Sequence, residues 1–231
     1  MDELGILAEE RSQVYWLLSR FFLAPPDAEF LAELDAGLQA VSYEEADALD
    51  TALMELQCSL ATTSLLELQA EHLRLFGGVR EGYGPPPPYE SLHREGRLLG
   101  QSIESVMRHY RSSGFSLANE IVGPEDHLGL ELKFLALLCH EESRRWRDGN
   151  AASGRAALAA QHAFIEKHLH AWAPAYCRHI QGESHHPFFR AVTGLTAASI
   201  EQDARQVSAL LSELSATGMN PDCPLDRADT P

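Results

Sequence analysis

The chain has 231 residues, enough for one sizeable domain or two small ones, and 45% are hydrophobic, core material enough without disulfides or metals. Its 34 acidic against 18 basic residues give a formal charge of −16, a field that repels nucleic acid, whose binding needs Lys and Arg to neutralise phosphates. The same charge favours cationic partners such as basic peptides, and it also serves plain solubility.

In chain order, the opening "MDELGILAEE" carries acids where a secretory signal would carry Lys or Arg. In "VYWLLSRFFL", Val14, Leu17, Leu18, Phe21 and Phe22 are placed on one face of a helix that Pro25 and Pro26 stop. The stretch "LLSRFFLAPP" is too short and too charged to span a bilayer, so a cytoplasmic protein without stable membrane insertion is expected. Asp27 caps a second helix through about Gln39. Ser42 with Glu45 makes a capping box for a third, and Ser64 with Glu67 opens a fourth that runs to Phe76.

A proline loop, "GYGPPPPYES" (82–91), then interrupts the helical pattern. Four consecutive prolines give an extended rod without backbone donors, here read as a fixed strut between helices. Residues 92–114 read as one helix, with Ser91 as its N-cap, and 115–125 as a loop. The most strongly patterned helix follows, with Asp126 placed to cap it and Leu128, Leu132, Leu135 and Cys139 on one stripe. A helix over 156–180 is expected to kink or end near Pro174, and 195–216 is the last helix. Residues 1–218 then form the helical domain and 219–231 a disordered tail. With no strand alternation and no solenoid repeat, the fold class is all-α, a single multi-helix domain of eight or nine helices.

Chemistry-bearing motifs are sparse. Cys58, Cys139, Cys177 and Cys223 form no C-x-x-C pair, which argues against a zinc module and suits a reducing compartment. His127 and Glu131 have i, i+4 spacing, the seed of a metal site, but no second histidine accompanies them; a small metal-dependent hydrolase built on that pair is the alternative reading. No phosphate loop or nucleophile elbow is present. Two loops, 82–91 and 119–127, each end at a helix start with polar groups: Tyr89, Glu90 and Ser91 in one, Glu125, Asp126 and His127 in the other.

At "EHLRLFGG" (71–78), "PPYES" (87–91), "YRSSGF" (110–115), "EDHLGLELKFLALL" (125–138) and "FIEKHLHAW" (164–172) the sequence resembles the TorD/DmsD/NarJ family of molybdoenzyme maturation chaperones. The resemblance implies an all-helical chaperone with no catalytic reaction and no cofactor or metal of its own. Its implied partner is the apo catalytic subunit of a molybdopterin enzyme, together with that subunit's twin-arginine leader. It leaves open weak binding of a guanine nucleotide or molybdopterin guanine dinucleotide, and a monomer or a homodimer. The family's client-binding region carries over to Tyr89, Glu90, Ser91, Glu125, Asp126, His127 and Glu131. Carboxylates there would pair with leader arginines, and Tyr83, Tyr89 and Phe115 would meet its apolar part.

Overall fold

Helices account for nearly all regular structure in the computed structural model, which describes residues 2–41, 48–60, 63–78, 82–115 and 123–216. In chain order they are α1 (Asp2–Leu23), α2 (Ala28–Gln39), α3 (Ala48–Leu60), α4 (Leu65–Phe76), α5 (Glu90–Glu95), α6 (Gln101–Ser112), α7 (Leu128–Arg147), α8 (Ala151–Phe164), α9 (His170–Glu183) and α10 (Pro187–Ala216). A π turn, Ile165–Leu169, joins α8 to α9. Among the described residues there is no strand, so the all-α expectation holds. The Ser42–Glu45 box and the expected tail lie outside the described residues.

Local chemistry sets several boundaries where the sequence places them. The Asp27 side chain accepts from Phe30 N to start α2, and Ser64 and Glu67 close a full capping box at α4. Elsewhere tertiary context moves them. The expected helix over 92–114 is two helices. Gly96 closes α5 in the left-handed conformation at φ 71°, and Leu99 also has positive φ, at 58°. The Glu95 carboxylate then accepts from the backbone N–H groups of Gln101 and Ser102, which starts α6 on a new axis. Pro174 lies inside α9, and the irregularity falls upstream of it, in the π turn.

Burial follows the helical stripes. Leu128, Leu132, Leu135 and Cys139 are fully buried on α7, which makes its most extensive contact with α1. On α1, Leu18, Phe21 and Phe22 enter the core with Tyr15, whereas Val14 is 44% exposed; the buried face is rotated by about one residue from the expected one. Edge-to-face aromatic pairs link the outer helices to the centre, among them Phe21 with Phe30, Phe22 with Phe76, and Phe76 with Phe189. A second aromatic group, Tyr110, Phe134 and Phe164, joins α6, α7 and α8. Arg11 crosses the interior to reach Asp203 on α10, Glu142 on α7 and Gln161 on α8.

Candidate functional site

The proline rod explains how two loops far apart in sequence meet. Prolines lack donors but keep their carbonyls, and a helix N-terminus has N–H groups to spare. The Pro88 carbonyl accepts from Leu128 N at 2.8 Å, at the start of α7. In return, the Asp126 carbonyl accepts from Glu90 N at 2.9 Å and its carboxylate from Ser91 N at 2.7 Å, at the start of α5. Each loop thus caps the helix that follows the other. Tyr89 and His127 form an isolated antiparallel bridge across this seam, with their rings edge to face at 5.1 Å. Gly84 lets the rod approach α4: a Cβ there would lie 1.9 Å from the Arg74 carbonyl oxygen.

This reciprocal capping reassigns two roles. Ser91 is not the cap of α5; Tyr89 is the N-cap residue, without a side-chain bond, and Asp126 supplies the acceptor from across the seam. Asp126 in turn does not cap α7. His127 does, its Nδ1 accepting from Gly129 N at 3.1 Å.

The expected site residues therefore converge, but at two depths. Tyr89, Glu125 and His127 are partly exposed, and Tyr83 nearby is 50% exposed. Glu90, Ser91, Asp126 and Glu131 are completely buried. Glu90 and Asp126 are thus not surface carboxylates. One Glu90 oxygen takes Arg94 Nη1, and the other takes His168 Nδ1 at 2.8 Å. Arg94 also donates to the Lys167 carbonyl in the π turn, at 3.0 Å, so α5 is tied to the α8–α9 junction. His168 continues through Nε2 to Ser105 Oγ and His109 Nδ1, both at 3.3 Å. Phe115 packs inward against Tyr110 and Phe134.

Glu131 accepts from Trp172 Nε1 at 3.2 Å. Burial pushes its carboxyl well above the usual range, and the nearby Glu90 carboxylate pushes it further. Its other oxygen, Oε1, is buried with no hydrogen-bond partner among the described residues. Burial has the opposite effect on imidazole. It lowers His127 to about 4, helped by nearby His72, and takes His72 to about 4 as well. Tyr89 is raised by its burial and by Asp126. These shifts leave His127 and His72 uncharged near neutrality and favour the neutral form of Glu131.

A metal does not fit the His127–Glu131 pair. His127 stands before the first helical residue with its Nδ1 already engaged, and Glu131 points to Trp172 and Glu90. Among the described residues no group of three or more His, Cys, Asp or Glu side chains is placed to hold an ion.

Comparison with known proteins decides the class. The family described as nitrate reductase delta subunit matches residues 42–178, more than half of the chain. The chain belongs to that family, the TorD/NarJ chaperones. It is 30% identical over 224 residues to a chaperone protein TorD of Vibrio cholerae serotype O1, an alignment covering 92% of this chain and 99% of the relative. It is 25% identical over 229 residues to that of Shewanella pealeana, covering 91% and 95%. A solved structure described as a redox enzyme maturation protein from Archaeoglobus fulgidus aligns over 86% of this chain and 93% of that one, at 18% identity and a TM-score of 0.46. The TorD-family chain is a chaperone of molybdoenzyme maturation and not an enzyme, which replaces the hydrolase reading.

The residues that sequence reasoning missed are Arg94, His168, Trp172 and Tyr110. The stretch "FIEKHLHAW" contained two of them, but nothing local marks one histidine among 11 as the partner of Glu90.

Proposed function

We propose that this chaperone engages the twin-arginine leader of a molybdopterin enzyme's catalytic subunit along the seam between residues 82–91 and 123–127. It holds the apo subunit there until the cofactor is inserted, and so keeps export of the apo form in check. The observation that carries this reading is the Tyr89–His127 bridge, which brings two polar helix openings to one rim. Tyr83 and Tyr89 offer apolar ring surface, and Glu125 a partly exposed carboxylate, on a chain of charge −16. Glu90, Ser91, Asp126 and Glu131 lie directly beneath and hold the rim in shape. A leader with a cationic n-region and an apolar stretch matches that pairing of charge and ring surface.

Calorimetric titration with a synthetic twin-arginine leader tests it. Tyr89→Ala and Glu125→Lys should each weaken binding about tenfold or more, as expected for an aromatic anchor and a reversed charge. Affinity unchanged in both variants would place the leader elsewhere.

A further inference from the structure

The turn between α5 and α6 carries a residue that the fold of the chain does not account for. Leu99 adopts φ 58°, in the left-handed region where glycine or asparagine sits at little cost and a leucine is strained. A core contact would offset that cost, but Leu99 is 67% exposed and neighbouring Leu98 47%, and neither joins the hydrophobic core. Backbone and solvation would both be better served by another residue type. The conformation is nonetheless held from both sides. Gly96 N donates to the Leu92 carbonyl at 3.0 Å, and the Glu95 carboxylate accepts from Gln101 N and Ser102 N at 2.8 Å and from Ser102 Oγ at 2.7 Å. Gly100 gives that carboxylate room, since a Cβ there would collide with it. A rigid, strained turn that holds two leucines in water is a feature whose use lies outside the chain.

The occupant follows from shape and charge. A turn of four residues, Gly96 to Leu99, exposes far less than the roughly 800 Å² per partner of a stable interface, so it does not hold a second copy turn to turn. A small convex apolar knob matches a concave apolar site instead, as anchor residues fill a partner's pocket. Arg97 is exposed beside the leucines, 4.0 Å from Glu95 Oε2, and sets a positive charge at the knob on a chain of charge −16. A cationic leader is repelled there, and a pocket with acidic residues at its mouth is attracted. We propose that the Leu98–Leu99 turn anchors the body of the client catalytic subunit, downstream of its leader, by seating in an apolar pocket of that subunit. The inference rests on the chaperone class and not on docking at the seam, and it gives the client a second hold. Helix α5 joins the two places. Its first residue, Glu90, stands at the seam, and its last, Glu95, holds the turn, six residues or about 9 Å along the axis.

Photo-crosslinking in the native host tests it, with a benzophenone amino acid in place of Leu98 in the full chain and mass spectrometry of the adduct. The expected adduct joins the turn to the catalytic subunit of a molybdopterin enzyme, at a peptide downstream of the leader. Adding Leu99→Asn keeps the left-handed turn and removes the apolar side chain, and should lower the yield about tenfold, whereas Leu99→Met should retain it. Both variants should keep the parent's urea midpoint or exceed it, and both should bind a synthetic twin-arginine leader as the parent does. An adduct with the leader alone, with a second copy of this chain, or with no catalytic subunit would overturn the proposal. So would an undiminished yield in Leu99→Asn, or a loss of leader affinity in that variant, which would assign the turn to the leader. Failure of the leader to bind the unaltered protein, with the downstream adduct still formed, would remove docking at the seam and leave this second hold standing.

Discussion

Asp126 shows how far a side chain's role can depart from its place in the sequence. It stands two residues before a helix and has the type of a cap, yet its carboxylate serves Ser91 on another helix 35 positions away. The backbone N–H of Ser91 is sealed from water, so losing its acceptor costs both a cap and an unsatisfied buried donor. Asp126→Ala should lower unfolding free energy by about 2 to 4 kcal/mol in urea titrations. Asp126→Asn, which retains an acceptor oxygen, should recover much of that. An unchanged midpoint in Asp126→Ala would mean that the cross-seam cap does not hold the loops. The residue types at the seam were legible in the sequence. Their burial was not, because exposure of Glu90 and Glu131 depends on Arg94, His168 and Trp172, which other elements bring to them.

At the scale of elements, the break between α5 and α6 sets where Glu90 and Arg94 stand. Four residues, Gly96 to Leu99, turn the chain, and two of them have positive φ. Gly96 does so freely, whereas Leu99 meets the steric cost of a left-handed side-chain residue while remaining 67% exposed. Leu99→Gly should therefore stabilise the fold by about 1 kcal/mol in thermal or urea unfolding, and Gly96→Ala should destabilise it by a similar amount. A loss of stability in Leu99→Gly would show that the exposed leucine makes a contribution larger than its backbone cost. The hydrophobic pattern runs on through 92–114 and hid this break, since a periodicity of 3.6 registers apolar spacing and not the direction of the axis. The π turn was hidden in the same way. Pro174 was the visible signal, but the ring fits within α9, and the extra residue per turn sits where Lys167 offers its carbonyl to Arg94.

For the whole molecule, the Arg11 network ties α1, α7, α8 and α10 around one guanidinium. Arg11 Nε and Nη2 hold both oxygens of Asp203 at 2.6 and 3.0 Å, and Nη1 reaches Glu142 at 3.1 Å. Tyr15 adds a bond to Asp203 at 2.7 Å, and Trp146 one to Glu142 at 2.8 Å. Removing the one cation would leave two buried carboxylates without their counter-charge. Arg11→Ala should thus cost about 3 to 5 kcal/mol, read as a large fall in urea midpoint, with more expected where both carboxylates are ionised than at acid pH. Equal losses at neutral and acid pH would assign the effect to packing alone. This network lies away from the seam, so it fixes the frame on which α7 and the π turn present Glu131 and His168.

The sequence by itself determined the all-helical class, the starts of α2 and α4 and the two loops that matter, because apolar spacing and capping residues act within a few residues along the chain. Its motifs also pointed to the chaperone family. Only the tertiary structure decided which carboxylates face solvent, which helix each one caps, and that burial beside Glu90 weakens the acidity of Glu131. Those properties depend on local dielectric and on partners brought in from distant segments, and neither is encoded in any short stretch of residues.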